Sequence, residues 1–139
     1  MRSTTSLRLD NKLRERLAAM AEIEGTTVTA IIERMLREGI AMSEHHGVVF
    51  KPGHSGRRAA LAGGPDIWQI ASALRRMSGP ESTRITALAG EFGVHERQII
   101  VALDYIAVHR KEIDAEVAAN DRALDELERI ATERKRLLA

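Results

Sequence analysis

The chain has 139 residues, of which 44% are hydrophobic and 29% charged, a composition typical of a folded globular protein with one ordinary domain or two small ones. It has no cysteine, which excludes disulfides and thiolate chemistry, and its net charge of +1 is divided between a basic front (residues 1–80) and an acidic back (81–139), which predicts different partners at the two ends. No apolar run approaches the ~20 residues of a membrane span and the N-terminus lacks the apolar centre of a secretory signal, so we expect a cytoplasmic protein without membrane contact.

The first predicted element is a short strand, TTSLRLD, over residues 4–10. Its side chains alternate with the period of a half-buried strand. Leu7 and Leu9 fall on one side, and the other side is polar. The polar side consists of Thr4, Ser6 and Arg8. No second strand follows nearby, so the partner of this strand must come from elsewhere.

Two amphipathic helices are predicted directly after the strand. Asp10 is a suitable N-cap for the first helix and Gly25 ends it, whereas Thr27 caps the second and Gly39 ends that one. The apolar face of the first helix consists of Leu13, Leu17, Met20 and Ala21, and that of the second of Val28, Ile31, Ile32, Met35 and Leu36. One strand and two short helices leave an open sheet edge, so we predict a homodimer whose two strands pair antiparallel.

A two-stranded ribbon fits the major groove of DNA, and the segment from about Ser3 to Ile40 resembles the ribbon-helix-helix family of DNA-binding proteins, the Arc/MetJ type. The resemblance rests on the TTSLRLD strand, the first helix, the EGTTVTAIIERMLREG turn and second helix, and their spacing. It implies that the outward strand residues read operator bases, with Arg8 the best reader because it can pair bidentately with guanine. These residues are Thr4, Ser6 and Arg8.

The same resemblance implies a phosphate site at the start of the second helix. The backbone N–H groups near Thr27 and Val28 would hold the phosphate, with help from the Thr27 hydroxyl. Arg2 adds a further predicted phosphate contact. The alternative is that the ribbon serves only to form the dimer and touches no DNA.

The stretch over residues 43–64 is rich in glycine and basic residues, and we interpret it as a connector with one short strand at Val48–Lys51. Arg57 and Arg58 could neutralise acidic groups on a partner or touch DNA phosphate, although solvated loop charges are an equal alternative. Three histidines lie here, His45, His46 and His54, but no second ligand pair completes a metal site, so we expect no metal and no other cofactor.

The next segment, residues 65–109, is predicted to be a small helical domain. Pro65 lies near the start of its first helix, and two further helices flank a tight turn at Gly93, in the form of a helix-turn-helix. The second of these is apolar nearly all round, which predicts a buried helix that packs and binds a partner; DNA reading by it is the weaker alternative. Its apolar residues are Ile99, Ile100, Val101, Leu103, Ile106 and Val108.

The runs HHGVVF, RRAALAGGPDIWQIASAL, LAGEFGV and ALDYIAVHRKEID resemble an antitoxin family that carries a domain of unknown function and is sometimes grouped with VapB-type antitoxins. The resemblance spans roughly residues 45–120. It implies a toxin partner of the PIN-like ribonuclease class. GRRAALAGG departs from the commoner form of the motif, which leaves the toxin type open.

The last predicted element is a long amphipathic helix over residues 110–139 with a heptad-like apolar series. The series consists of Ile113, Val117, Leu124, Leu127, Ala131 and Leu138, with Asn120 and Arg134 in the same register. The helix either lies across a partner protein or folds back on its own domain. For the first case, the predicted toxin-binding residues are Arg57, Arg58, Leu124, Leu127, Arg129, Arg134, Lys135 and Arg136; a cation among them would enter the metal-binding carboxylate cluster of a PIN-like nuclease.

The sequence thus predicts a mainly α protein: a ribbon-helix-helix completed only as a homodimer (1–42), a connector (43–64), a small helix-turn-helix-like domain (65–109) and a long C-terminal helix (110–139). The predicted function is that of an antitoxin in a type II toxin–antitoxin system, which neutralises its toxin and represses its own operon. The alternative is a stand-alone ribbon-helix-helix repressor whose C-terminal part oligomerises or senses a ligand. No triad or dyad spacing points to an enzyme or to catalytic residues.

Overall fold

A computed structural model of the protein describes residues 1–53 and 56–139. The described residues form six helices and one two-stranded antiparallel sheet, which confirms the predicted mainly α class at this coarse level. They divide into two compact units, unit 1 (Met1–Ala41) and unit 2 (Met42–Ala139), and each is described by itself.

Unit 1 contains helix α1 (Asn11–Glu24) and most of helix α2 (Val28–Glu44). The predicted N-cap is confirmed, because the Asp10 carboxylate accepts hydrogen bonds from the backbone N–H groups of Lys12 and Leu13 at 3.2 and 3.3 Å. Gly25 ends α1 in the left-handed conformation, with φ 65°. The core of the unit is small: Leu17, Ala21 and Ile31 are buried, and Leu9, Met20, Val28 and Ile32 pack around them.

Residues 4–10 form no strand in the single chain, because a strand is defined by hydrogen bonds to a neighbour and no described segment pairs with them. Their pairing with a second copy stays a prediction. Helix α2 differs from the prediction, because it runs through Gly39 and ends at Glu44. A glycine inside a helix costs about 1 kcal/mol.

Unit 2 begins with a β-hairpin that the sequence predicted only in part. Strand β1 (Val48–Gly53) pairs antiparallel with β2 (Gly56–Leu61), and Val48 lies opposite Leu61 in the register. The interpretation of the second half of this region as a loop was wrong. The glycine and arginines at the start of β2 are followed by three apolar residues, and these are buried in the core. The buried residues of β2 are Ala59, Ala60 and Leu61.

Four helices complete unit 2: α3 (Ile67–Arg75), α4 (Glu81–Phe92), α5 (Glu96–Val108) and α6 (Arg110–Leu138). Helix α3 is central, since it packs against β2, α4, α5 and α6. The turn between α4 and α5 has the predicted form, with Gly93 left-handed at φ 65°. The fully buried aliphatic residues of the four helices are Ile67, Ile70, Leu88, Ile99 and Ile113.

Helix α5 is not buried all round, contrary to the prediction. It buries one face, through Ile99, Ala102 and Tyr105. Ile100 and Val108 remain exposed. The apolar surface of α5 is therefore larger than the area that the neighbouring helices cover.

Helix α6 divides into two parts. Ile113 and Val117 are buried in unit 2, and α6 packs on α3 and α5. From residue 121 to residue 139 every residue except the half-buried Ala131 is exposed. The start of α6 thus folds back on its own domain, as one of the two predicted alternatives states. Its end projects without a neighbour among the described residues of unit 2.

Candidate functional site

The predicted base-reading residues lie in the extended segment before α1. Thr4, Ser6 and Arg8 are all exposed. Leu9 packs on the core of unit 1, whereas Leu7 is 61% exposed. The segment therefore presents polar side chains to solvent, and only one of its two leucines is covered by the chain itself.

The predicted phosphate site at the start of α2 has the expected cap. The Thr27 hydroxyl accepts a hydrogen bond from the backbone N–H of Ala30 at 3.1 Å, so this side chain caps the helix. Val28 is half-buried and packs on the core, so only its backbone N–H is suited to an anion. Arg2 pairs instead with Glu33 at 3.2 Å, which engages this predicted phosphate ligand within the single chain.

Unit 1 leaves a large part of its apolar surface uncovered. Leu36 and Ile40, on the exposed side of α2, are 57% and 58% exposed. A groove of about 500 Å³ opens beside α1, between Leu9 and Val28. Exposed apolar patches of this kind mark interaction surfaces.

Unit 2 is organised around one buried carboxylate that the sequence prediction missed. Asp66 is 3% exposed, accepts a hydrogen bond from the Trp68 indole at 3.1 Å and pairs with Lys51 at 3.0 Å. Arg58 pairs with the same carboxylate. Its side chain crosses Gly53, where a Cβ would overlap the guanidinium. Arg58 therefore joins the hairpin to the start of α3, and its charge is already compensated.

A signal for Asp66 was present in the sequence. An aspartate directly before a helix, followed three residues later by glutamine, is a capping pattern. In the structure the backbone N–H of Asp66 donates to the side-chain oxygen of Gln69 at 2.9 Å. The pattern predicts the cap, but the ion pairs to the hairpin depend on the tertiary structure.

A groove of about 330 Å³ opens beside this carboxylate, between β2, α3 and α6, and we call it the Glu116 groove. Two buried atoms of its lining residues have no hydrogen-bond partner among the described residues: Oε2 of Glu116, and Nε of Arg58, which still forms an ion pair with Asp66. The Arg57 guanidinium donates to the backbone oxygen of Phe50 at 3.2 Å. The groove is lined by Arg57, Arg58, Trp68, Glu116, Ala119, Asn120 and Ala123.

The Glu116 carboxylate is poorly compensated where it stands. Burial, followed by the charges of Glu112 and Asp66, raises its pKa to about 7, and the charge of Arg58 opposes this shift. The two arginines beside it are already engaged, Arg58 by Asp66 and Arg57 by a backbone oxygen. The groove thus has room for a cationic group from outside.

A second titratable cluster surrounds Tyr105, where α5 meets α6. The ring of Tyr105 stacks on His109 with centroids 4.2 Å apart and meets His45 edge to face at 5.1 Å. Its hydroxyl donates to Glu112 at 3.3 Å, and burial, followed by the charge of Glu112, raises the pKa of this tyrosine above its ordinary value. The cluster joins His45, which precedes β1, to the α5–α6 junction and has the character of a core contact.

The predicted toxin-binding residues of α6 do not share one face. Arg129 pairs with Glu126, and Arg136 pairs with Glu133 at 2.9 Å. At 100° per residue these two arginines lie opposite Leu127. Arg134 lies on the apolar side with Leu124 and Leu127, and Lys135 flanks it. Arg57 and Arg58 lie in the Glu116 groove, apart from the last turns of α6.

Among residues 1–53 and 56–139, no three metal-ligating side chains come together. His45 belongs to the Tyr105 cluster, His46 lies on the surface, and His54 lies outside the described residues. None of the described helices is both long and apolar enough to cross a membrane.

Comparisons with protein families, curated proteins and solved structures give no match to this chain.

Proposed function

We propose that the protein is a homodimeric DNA-binding antitoxin, which binds operator DNA through unit 1 and a PIN-like ribonuclease toxin through the projecting half of α6. The observation that carries the DNA-binding part is the incomplete unit 1. It exposes alternating polar residues before α1 and leaves Leu7, Leu36 and Ile40 uncovered. A second copy would bury these apolar residues and supply a partner strand for residues 4–10.

In this dimer the paired strands present Thr4, Ser6 and Arg8 from both copies to the major groove. The N-terminus of α2, capped by Thr27, faces the DNA backbone and binds a phosphate through its free N–H groups. Arg2 joins this contact only if it leaves Glu33. The ion pair between Arg2 and Glu33 is exposed and contributes little stability.

The experiment for the DNA-binding part compares Arg8→Ala with Arg16→Ala in a gel-shift assay on the DNA upstream of the gene. Arg16 is an exposed arginine of α1 and serves as the matched control. We expect Arg8→Ala to weaken binding by about 1–3 kcal/mol for each arginine–guanine pairing that it removes, and to leave the dimer intact. Equal binding by Arg8→Ala and the wild-type chain would remove Arg8 from the interface.

The toxin-binding part rests on the projecting turns of α6, which expose Leu124 and Leu127 at 52% and 62%. An amphipathic helix that exposes its apolar side is suited to a groove on a partner protein. Arg134 and Lys135, near the apolar side, are better placed to enter an acidic nuclease centre than Arg129 and Arg136, which are held by glutamates on the opposite face.

The experiment for the toxin-binding part deletes residues 121–139. Because Ile113 and Val117 remain to close the core, unit 2 is expected to stay folded. The truncated chain should lose co-purification with the product of the adjacent reading frame and should release its nuclease activity, while DNA binding is kept. Full inhibition by the truncated chain would exclude the tail as the toxin-binding element.

The second candidate function is a stand-alone repressor whose C-terminal part oligomerises. It is favoured by the Glu116 groove, which has room for a side chain of a second copy and holds a buried carboxylate oxygen without a hydrogen-bond partner among the described residues. A chain that binds operator DNA and co-purifies with no second protein from its native operon would support this candidate.

A further inference from the structure

One face of α6 runs without interruption from the Glu116 groove to the end of the helix, and we call it the 116–134 face. Its residues follow each other at steps of three and four and therefore line one side of the helix. The residues are Glu116, Asn120, Ala123, Leu127, Ile130 and Arg134. It combines an uncompensated carboxylate at one end, small and apolar residues in the middle and a cation at the other end.

This face is complementary to itself when turned end to end. Glu116 and Arg134 lie on either side of the midpoint between Leu124 and Leu127, at roughly 14 and 13 Å along the helix axis. Two antiparallel copies centred on that midpoint would bring each arginine to the level of the other copy's Glu116. Such a pairing repeats the same contact twice, as a two-fold interface requires.

We propose that the projecting halves of α6 from two copies of the chain pack antiparallel along the 116–134 face, so that Arg134 of each copy enters the Glu116 groove of the other. The groove has space for a side chain, at about 330 Å³. Its only buried oxygen without a hydrogen bond among the described side chains, Oε2 of Glu116, then gains a donor. A guanidinium bound to a carboxylate is among the strongest pairings that proteins use.

The middle of the 116–134 face is also suited to a second copy of the chain. Ala119 and Ala123 line the groove with small side chains, and these allow a second helix to approach closely. Ile130 and Leu127, exposed at 47% and 62%, supply the large side chains that would cover them. Burial of these side chains favours the pairing, because apolar surface removed from water stabilises an interface.

A parallel pair fits poorly. In that arrangement Arg134 meets Arg134 of the second copy in the apolar seam, and like charges at one level repel. Oε2 of Glu116 would likewise remain without a hydrogen-bond donor among the described residues. In the antiparallel arrangement the two Arg134 side chains lie far apart, and each one lies beside Glu116 of the other copy.

This inference goes beyond the proposed function, because the occupant is a second copy of the chain and no toxin is needed. A toxin that binds the same face would have to displace the second copy. The pairing also differs from the proposed unit 1 dimer, since it depends only on unit 2.

The test measures the distance between two copies of α6 in the full chain. Because the chain has no cysteine, Arg136→Cys provides a single attachment site for a spin label on the outer face of the helix. Antiparallel pairing separates the two labels by roughly 32 Å along the axis, and by about 35–40 Å once the ~10 Å between helix axes and the label arms are included. A parallel pair would give a much shorter distance, because its labels lie at the same level.

We expect double electron–electron resonance to show the 35–40 Å distance, and Arg134→Glu to abolish it. Adding Glu116→Arg to Arg134→Glu should restore the distance by exchanging the two charges. Arg129→Glu is the matched control: it reverses an arginine on the opposite face and should leave the distance unchanged. All variants lie on α6, and circular dichroism checks their helix content.

Absence of the 35–40 Å distance, a short distance typical of parallel helices, or persistence of the distance in Arg134→Glu would overturn the proposal. Failure of the pairing is distinguishable from failure of the proposed function, because operator binding and toxin co-purification do not measure this distance. Chains that fail those two assays but show the charge-dependent distance would support the pairing alone.

Discussion

The two units differ in how far each covers its own apolar residues. Unit 2 buries aliphatic residues from β2 and from each of its four helices. Unit 1 has a small core around Leu17, Ala21 and Ile31, buries Ala41 besides, and exposes leucines and isoleucines of comparable size. Unit 2 therefore has a core that its own elements close, whereas the elements of unit 1 cover only a small core. The projecting end of α6 is the exception within unit 2.

The largest effect is expected in unit 2, through its buried carboxylate. Asp66→Ala removes a carboxylate that is 3% exposed and leaves Lys51 and Arg58 without their partner. Breaking a buried ion pair on one side costs about 3–5 kcal/mol. Urea denaturation should therefore show a large decrease in the free energy of unfolding of unit 2.

The control for that variant is Asp114→Ala. Asp114 pairs with Arg75 on the surface, where an ion pair contributes at most about 1 kcal/mol. Similar decreases in the two variants would mean that the Asp66 cluster does not hold the hairpin to α3.

The next effect is expected in unit 1, through its exposed apolar surface. Leu36→Glu places a charge on apolar surface that is 57% exposed in the single chain. A single copy should tolerate it, but the proposed unit 1 dimer should be destabilised by about 2–3 kcal/mol for each buried leucine, and operator binding should disappear with it. Sedimentation at micromolar concentration measures the change in mass.

Ile23→Glu is the matched control for Leu36→Glu. Ile23 is 85% exposed on the side of α1 away from its buried residues. It should leave the association of unit 1 unchanged. If both variants associate like the wild-type chain, Leu36 does not lie in the dimer interface.

The smallest of these effects is a pH dependence of the stability of unit 2, through Glu116. The folded pKa of Glu116, at about 7, lies above the unfolded value of 4.5. Folding therefore retains a proton between these values, and stability is highest at low pH and falls as the pH rises to about 7. In an Arg134→Ala background, which removes the proposed partner cation, Glu116→Gln should abolish most of this fall.

The size of the pH effect is about 1–2 kcal/mol between pH 5 and pH 8, because the side chain is only partly buried and solvent reduces the cost of its charge. Thermal melts of Arg134→Ala with and without Glu116→Gln at the two pH values measure it. Identical pH profiles for the two chains would show that Glu116 is well solvated.

Much of the helical structure could be predicted from local signals. Asp10 and Gly25 mark the limits of α1, and Gly93 marks the turn between α4 and α5. The hairpin could not be predicted as well, because the glycines and arginines of GRRAAL look like loop residues in isolation. Only packing against α3 makes its last three residues part of the core.

The candidate sites show the same division. Alternation before α1 predicts the exposed polar side chains of Thr4, Ser6 and Arg8, and their DNA contact stays a prediction. The Glu116 groove was not predicted, because Arg58, Trp68 and Glu116 are far apart in the sequence and no periodic pattern links them. Their proximity is a consequence of α3 packing on both β2 and α6.

Capping groups and apolar periodicity act over a few residues, so the sequence alone predicts the helical class, the limits of α1 and the apolar faces of α1, α2 and α6. Only the tertiary structure decided which turns of α6 are covered, that β2 belongs to the core and that Arg58 is already paired. These depend on contacts between segments distant along the chain. Where the chain supplies no such contact, around Leu36 and along the 116–134 face, its apolar residues remain exposed.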